Sequence, residues 1–280
     1  MKKVYGVVVL YNPDQSILKN INSYIDQVDI LYAIDNSEDK NNVLIQDIKN
    51  NPKIQYIDNH GNQGLAHALN MGANLAIDSG ADWLLTMDQD SRFDKDTLSK
   101  MIKWINENEI DDIGIVSPMH SVNSRDNYQR QYDLVTMTSG NLLNLKIFQK
   151  IGKFDEKLFI DSIDTEYCLR LNVNNYYIKR LKSMVLDHNL GDIKRKNFLF
   201  LNFTVTNHNS IRRYYIIRNR FYVWGKYKEY FSWFINYEKK MTIKEIIKIL
   251  LVEDDKILKF KMIFKGYIDY KKGRFGKLDV

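Results

Sequence analysis

The first hundred residues alternate between continuous apolar runs and segments of helical spacing. Residues 4–11, VYGVVVLY, are apolar and largely β-branched, and Asn12-Pro13-Asp14 ends them, the pattern of a buried strand running into a turn. From residue 14 to 28 the apolar positions Ile17, Leu18, Ile21, Tyr24, Ile25 and Val28 recur at helical spacing. The alternation repeats: DILYAIDNS (29–37) as strand, VLIQDIKN (43–50) as helix, KIQYIDN (53–59) as strand, GLAHALNMGANLAIDSG (64–80) as helix stopped by Gly80, and ADWLLTMDQD (81–90) as strand. A helix from about Asp94 and an apolar GIVSP (114–118) follow. This predicts a mostly parallel α/β sheet, a fold that binds ligands off the carboxyl ends of its strands.

The later chain is less regular. Residues 132–144, YDLVTMTSGNLLN, predict one or two strands broken at a glycine, and 145–151 a short helix. In 161–174, DSIDTEYCLRLNVN, carboxylates come early and Arg170 late, which matches a helix dipole. YYIKR (176–180) and MVLDH (184–188) predict two short strands, and from about Ser210 the pattern is helical, rich in aromatic residues and lysines.

Charge sharpens this division. The 280 residues carry a formal +6, but from Asp192 onward 21 Lys and Arg stand against 9 Asp and Glu, while the part before it is acidic. The expected organisation is an α/β domain over 1–205 and a basic, aromatic-rich helical region over 206–280. One cysteine, Cys168, excludes an internal disulfide and a multi-cysteine metal site, and it is expected to be a buried apolar residue. No stretch approaches the 18 or so uncharged apolar residues of a membrane span, so the expected compartment is the cytoplasm.

Four successive strands end in side chains that can hydrogen-bond or ligate: Tyr11-Asn12, Asp35-Asn36-Ser37, Asn59 to Gln63, and Asp88-Gln89-Asp90. On an extended segment residues one apart point to the same side, so Asp88 and Asp90 can face one ion. Paired carboxylates repel unless water or a cation separates them, and Mg²⁺ or Mn²⁺ bridging to a phosphate is one answer, a solvated acidic turn the other.

The run GNQGLAHALNMGANLAIDSGADWLLTMDQDS (61–91), with SGNLLN (139–144), IGKFDEKLFIDSIDTEYCLR (151–170), DHNLG (187–191) and RRYYIIRNRFY (212–222), resembles the inverting nucleotide-sugar glycosyltransferases of the GT-A class, family 2, and within them the bacterial rhamnosyltransferase branch. The likeness covers roughly residues 3–225. It implies a Rossmann-like nucleotide-binding sheet with flanking helices, plus the basic helical extension. It implies that Tyr11, Asn12, Asp35 and Asn36 meet the nucleoside, that Asn62, Gly64 and Leu65 lie near the nucleotide, and that Ser139, Gly140 and Asn141 lie against donor sugar or acceptor. Asp88 and Asp90 become metal ligands beside Gln89, with His188 the third ligand and Asp187 a weaker candidate. Asp164 becomes the catalytic base, with Asp161 the alternative. The family usually places an acidic pair here, and Ile163 stands where the first acid would be. Asp161 and Asp164, three apart, could share one helical face, while Glu166 and Arg170 are spaced as a structural ion pair. His60, His67, His120 and His208 are taken as structural or surface residues, with His208, Arg212 and Arg213 a possible contact for a diphosphate.

The implied donor is dTDP-rhamnose, with a UDP-hexose or UDP-galactofuranose as alternatives, and the implied acceptor a glycan or lipid-linked saccharide in bacterial surface-polysaccharide synthesis. A non-catalytic relative that only binds nucleotide sugar or lipid is the other option. A sugar nucleotidyltransferase would need a glycine- and arginine-rich loop that VVVLYNPD does not supply, and an acidic first part without zinc or RNA-binding patterns argues against nucleic acid. The tail, residues 211–234 and a closing stretch read as an amphipathic basic helix pair, has two readings. Its aromatics pack against the catalytic domain with its basic residues in water, or it attaches to the anionic inner face of the membrane.

Overall fold

A computed structural model describes residues 1–94, 96–108, 110–120, 134–188, 194–198, 201–205 and 207–279, and for 188, 194–198 and 201–205 it describes the backbone alone. Contacts divide the chain into two compact units, one of residues 1–159 and 163–189, the other of 160–162 and 190–280.

The first unit is built on an eight-stranded sheet in the order β3-β2-β1-β4-β7-β6-β8-β5. Its strands are β1 (Val4–Leu10), β2 (Leu31–Asp35), β3 (Ile54–Asp58), β4 (Trp83–Asp88), β5 (Ser91–Phe93), β6 (Ile113–His120), β7 (Asn141–Asn144) and β8 (Tyr177–His188). The half from β3 to β4 is parallel, as the alternation predicts. Its crossovers run through α1 (Ser16–Asn22) with a short 3₁₀ turn after it, α2 (Asn42–Lys49) and α3 (Leu65–Asp78). β1, β2 and β4 are buried almost throughout, which explains their continuous apolar runs. The other half is mixed: β7 lies antiparallel between β4 and β6, β6 and β8 are parallel, and β5 closes the edge antiparallel to β8. α4 (Thr97–Glu107), α5 (Leu145–Ile151) and α6 (Ile163–Val173) complete this unit.

Three departures from the sequence reading have local causes. The two short strands expected over 176–180 and 184–188 are one strand, β8; the register with β6 slips between Pro118–Leu181 and Met119–Val185, so Lys182, Ser183 and Met184 form a bulge rather than a break. In 132–144 only β7 forms a described strand, and residues 132 and 133 lie outside the described residues. The helix expected from Asp161 begins at Ile163, because Asp161 and Ser162 hold left-handed backbone with φ of 64° and 63°. Asp161 and Asp164 therefore do not share a helical face.

The second unit holds a hairpin that the sequence reading missed, β9 (Lys194–Phe198) with β10 (Leu201–Val205), and three helices, α7 (Ser210–Tyr227), α8 (Ser232–Val252) and α9 (Lys256–Lys271), the last two forming the helix pair expected for the closing stretch. Tyr214, Tyr215, Trp224 and Tyr227 of α7 are buried, but so are two of its arginines, contrary to the expectation that its basic residues stand in water. Arg213 pairs with Glu253 at 2.6 Å, and Lys259 reaches the other oxygen of that carboxylate at 2.8 Å. Arg218 lies over the rings of Tyr214, Tyr215 and Phe275. A buried cation needs a charge partner or a ring face, and both kinds are provided here.

Candidate active site

The register of the parallel half lines up the carboxyl ends of its strands: Val9 pairs with Asp88, Leu10 with Asp35, and Asp35 with Asp58. Polar tips on four neighbouring strands thus share one edge. The tips of β1 and β4 are locked reciprocally, Tyr11 N–H donating to Gln89 Oε1 at 2.8 Å and Gln89 Nε2 donating to Tyr11 O at 3.1 Å. Asn12 sits at φ 45° with its N–H on Ser37 Oγ, joining this turn to the end of β2.

Asp35, expected at the nucleoside, is buried, and its carboxylate accepts from Tyr56 Oη at 2.7 Å and from Ser37 N–H at 2.8 Å. Lys40 bridges it to Asp58, at 3.4 Å and 2.9 Å. The Lys40 hydrogen bond, with help from the His60 N–H, holds the Asp58 carboxyl below its ordinary pKa, and burial together with Asp35 pushes the Tyr56 phenol up. Lys40 and Tyr56 were not singled out in the sequence. The available signals were a cation five positions after the strand tip and an aromatic on the neighbouring strand two residues before Asp58. Asn36 lies one step on, donating to Gly64 O at 3.2 Å and accepting from Asn59 at 2.6 Å.

Gly64 opens α3 with φ 96°, and its N–H is held by Asn62 Oδ1 at 3.0 Å. A Cβ there would lie 2.8 Å from the Phe159 carbonyl oxygen, the same oxygen that accepts from Leu65 N–H at 2.7 Å. Glycine is required on two counts, a conformation closed to other residues and backbone at contact distance. The helix start is thereby stitched to the segment that leads to α6.

Ser139-Gly140-Asn141 forms the turn into β7. Ser139 Oγ accepts the Asp88 N–H at 3.1 Å, and the Ser139 carbonyl meets buried His120 Nε2 at 2.8 Å. Gly140 at φ 81° gives its N–H to Thr86 O at 2.7 Å. The motif therefore braces the end of β4. Asp164, in the first turn of α6, accepts from Thr165 N–H at 2.7 Å and lines a cavity of about 10 Å³ with Thr86, Thr138, Asn141, Tyr167 and Cys168 among others. That is room for about one water. Two of its lining atoms, Asn141 Oδ1 and Tyr167 Oη, are buried and hydrogen-bond to no other described residue. Burial pushes the Cys168 thiol up to about 12, so the lone cysteine is a neutral apolar filler, as expected.

Asp161 belongs by its contacts to the second unit, where Arg212 holds its carboxylate at 3.1 to 3.3 Å. Glu166 is fully buried and paired with Arg170 at 2.8 Å, and the same guanidinium donates to the carbonyls of Ile151, Gly152 and Lys153, fastening α6 to the end of α5. His208 is pushed down to about 4 by burial and by Arg212 and Arg213. Since Arg213 is taken by Glu253 and Arg212 by Asp161, the contact imagined for a diphosphate here would have to displace both pairs.

Asp88 ends β4 half-buried and Asp90 is exposed at the tip. Ser91 pairs in register with His188 on β8, so position 188 lies on the ladder beside Asp90, while the next pair carries an Arg92–Asp187 ion pair at 2.6 Å. Two carboxylates with an imidazole position beside them make a donor set suited to Mg²⁺ or Mn²⁺ rather than to a thiolate-seeking metal. Among the described side chains no three His, Cys, Asp or Glu gather closely enough to hold an ion, and the His188 side chain lies outside the described residues.

Comparison with known proteins places this arrangement. The model of the family described as glycosyl transferase family 2 matches residues 7–167. The dTDP-rhamnosyl transferase RfbF of Shigella flexneri is 28% identical over 244 residues, 78% of each chain. Among solved structures, S. aureus TarS is similar over 95% of this chain with a TM-score of 0.55 at 15% identity, and its 1–349 portion in complex with UDP-GlcNAc over 99% with a TM-score of 0.53 at 13%. GalNAc-T7 with UDP, GalNAc and Mn²⁺ is similar over 66% of this chain with a TM-score of 0.55 at 13%. The chain spans 43% of the length of the GalNAc-T7 and TarS chains, though 94% of the TarS portion. The sheet and its flanking helices are thus of the GT-A class, and the chain belongs to glycosyl transferase family 2 and is a glycosyltransferase.

Proposed function

We propose that this glycosyltransferase moves rhamnose from dTDP-rhamnose, with inversion, onto a glycan or lipid-linked saccharide during assembly of a bacterial surface polysaccharide, acting at the cytoplasmic face of the membrane. The observation that carries the reaction is the placement of Asp164: a carboxylate at the start of a helix, lining one cavity with Thr86 two residues before the acidic strand tip. The likeness to the Shigella enzyme supports the donor.

In this reading Asp164 takes the proton from the acceptor hydroxyl as that oxygen bonds to the anomeric carbon. The carbon–oxygen bond to dTDP breaks on the opposite face, and the electron pair leaves with the diphosphate. Tyr11, Asn12, Asp35 and Asn36 form the nucleoside end. Asn62, Gly64 and Leu65 bring a helix N-terminus and close backbone to the phosphates. Ser139 and Gly140 fix the height of the β4 tip, and Asn141 shares the cavity with the base. Asp88, Asp90 and His188 would hold Mg²⁺ or Mn²⁺, which would supply positive charge against the departing diphosphate.

Two measurements test the reading. In a thermal-shift panel of nucleotide sugars with Mg²⁺ or Mn²⁺, dTDP-rhamnose should stabilise the protein most; a larger shift with a UDP-hexose or UDP-galactofuranose would replace the donor. Asp164→Asn should abolish transfer while keeping donor binding; undiminished transfer would remove Asp164 from its role.

A further inference from the structure

Helix α8 is apolar on two faces, and its own unit uses one of them. Phe234, Ile235, Ile249 and Val252 are buried on the inner side. On the outer side Trp233, Ile243, Ile247 and Leu250 are 48%, 58%, 47% and 57% exposed. Their spacing, completed by exposed Asn236 and Lys240, follows the three-and-four rhythm of a single stripe along the helix. After the exposed Asp254 and Asp255, the first turn of α9 leaves Ile257 at 78% and Leu258 at 52%. A monomeric soluble protein rarely leaves a contiguous apolar strip in water, and such strips mark contact with a partner or a membrane.

Charge selects the partner. Exposed Lys239 and Lys244 flank the stripe, and Lys240 stands within it. Of the acids here, Glu245 is turned to Arg220 at 2.7 Å and Glu253 to Arg213 at 2.6 Å, while exposed Glu229, Asp254 and Asp255 stand at the two ends, beyond the lysines. The middle of the outer face therefore offers apolar side chains beside three lysines, with Trp233 at one end and Tyr230, 64% exposed, just before the helix. Aromatic rings and lysines with their long apolar stems suit the boundary between lipid headgroups and acyl chains. A second copy of the chain would set lysine against lysine. No described helix is long and apolar enough to cross a membrane, so the face would lie on the bilayer rather than enter it.

We propose that the outer face of α8, with the start of α9, docks the protein on an anionic lipid surface. This rests on the membrane part of the proposed function, and its test is independent of the donor and of Asp164. The test is flotation of the full chain with vesicles of phosphatidylcholine, with and without phosphatidylglycerol, at low and high salt. The chain should float with the phosphatidylglycerol vesicles at low salt and much less at high salt. Ile243→Ser/Ile247→Ser/Leu250→Ser should weaken vesicle binding at least about tenfold by removing apolar side chains from lipid. Its melting temperature and nucleotide-sugar binding, which do not depend on lipid, should stay those of the parent. Lys239→Gln/Lys240→Gln/Lys244→Gln should weaken binding by roughly fivefold per lysine and flatten the salt dependence. Failure of the full chain to float with anionic vesicles overturns the proposal, as does a serine variant that floats like the parent. A concentration-dependent dimer that the serine variant abolishes, without vesicle binding, would give the face to a second copy and overturn it too.

Discussion

Replacing Arg170 by methionine should test how the helix that carries Asp164 is held. Arg170 makes two kinds of contact. It pairs with Glu166, whose side chain is fully buried, through Nε at 3.2 Å and Nη2 at 2.8 Å. It also donates to the carbonyls of Ile151, Gly152 and Lys153, the last of these in an exposed bond. Methionine keeps most of the stem and its packing on the Tyr167 ring, so the loss is the charge and its donors. Leaving one member of a buried ion pair uncompensated costs about 3–5 kcal/mol. The carbonyls near the surface can turn to water, so their loss adds little beyond about 1 kcal/mol. The expected destabilisation is about 4 kcal/mol by urea unfolding, with a fall in melting temperature of about 2–4 °C per kcal/mol for a unit of this size. Adding Glu166→Gln removes the stranded charge, so the double variant should regain about half the loss although a further native group has gone. Donor binding at the β4 tip should hold in both, while transfer falls as α6 loosens. A loss below about 1 kcal/mol in the single variant, or a double variant whose losses simply add, would show that the pair does not fasten this helix.

Gly64→Ala should cost about 2–4 kcal/mol, because it forces a side chain into a glycine-only backbone region and against the Phe159 carbonyl, whereas Gly80→Ala, with φ 75° and open space around it, should cost about 1–2 kcal/mol; equal melting temperatures would refute the contact. Asp88→Asn/Asp90→Asn should weaken dTDP-rhamnose binding and leave the remainder indifferent to a chelator, measured by calorimetry with and without EDTA; undiminished, chelator-sensitive binding would move the cation elsewhere. His208, held neutral in the fold with its pKa down at about 4 against 6.5 when free, binds a proton more readily unfolded than folded, so its contribution is intact above pH 6.5 and is lost as pH falls from 6.5 to about 4. His208→Gln should flatten the stability–pH curve across that interval in urea titrations, and an unchanged slope would refute the assignment. Thr86→Val, which removes the hydroxyl that donates to Thr138 O at 2.6 Å, should cost about 1–2 kcal/mol and lower transfer more than donor binding, measured by urea unfolding and steady-state kinetics.

Most of the parallel half of the sheet was legible because β1, β2 and β4 are buried on both faces and read as apolar runs, each ending on a polar tip that the register brings to one edge. The antiparallel half was not. β7 is four residues long, and β5 is three with alternating burial, too short for a period to show. β8 hides a bulge that reads as two strands, and the second unit's β9 strand, KRKNF, carries no apolar alternation at all. Asp164 was singled out through motif likeness, not periodicity. Its surroundings were beyond the sequence, because Thr86, Asn141 and Tyr167 come from three distant segments that only the fold assembles. The left-handed run at Asp161-Ser162 was invisible for a related reason, since Asp adopts positive φ only occasionally and Ser rarely, and the Asn219 amide that holds the carbonyls of Ile160 and Asp161 lies some sixty positions away.

The short link between β4 and β5 explains why an acidic tip belongs where it is. β4 sits in the middle of the sheet, beside β1, yet β5, which begins three residues after Asp88, pairs with β8 at the far edge. A chain cannot cross the width of a flat sheet in two residues, since consecutive Cα atoms are only about 3.8 Å apart. The strands β4-β7-β6-β8-β5 must therefore curl until the end of the last faces the end of the first. Gln89 and Asp90 bridge that gap, so the curl itself draws the β4 carboxylates and the end of β8 together. The bulge at residues 182–184 on β8 adds twist to this half of the sheet. In this geometry a residue near the end of β8 can act with the DQD tip only because the sheet closes on itself, and a substitution that relaxes the curl would separate them without touching either.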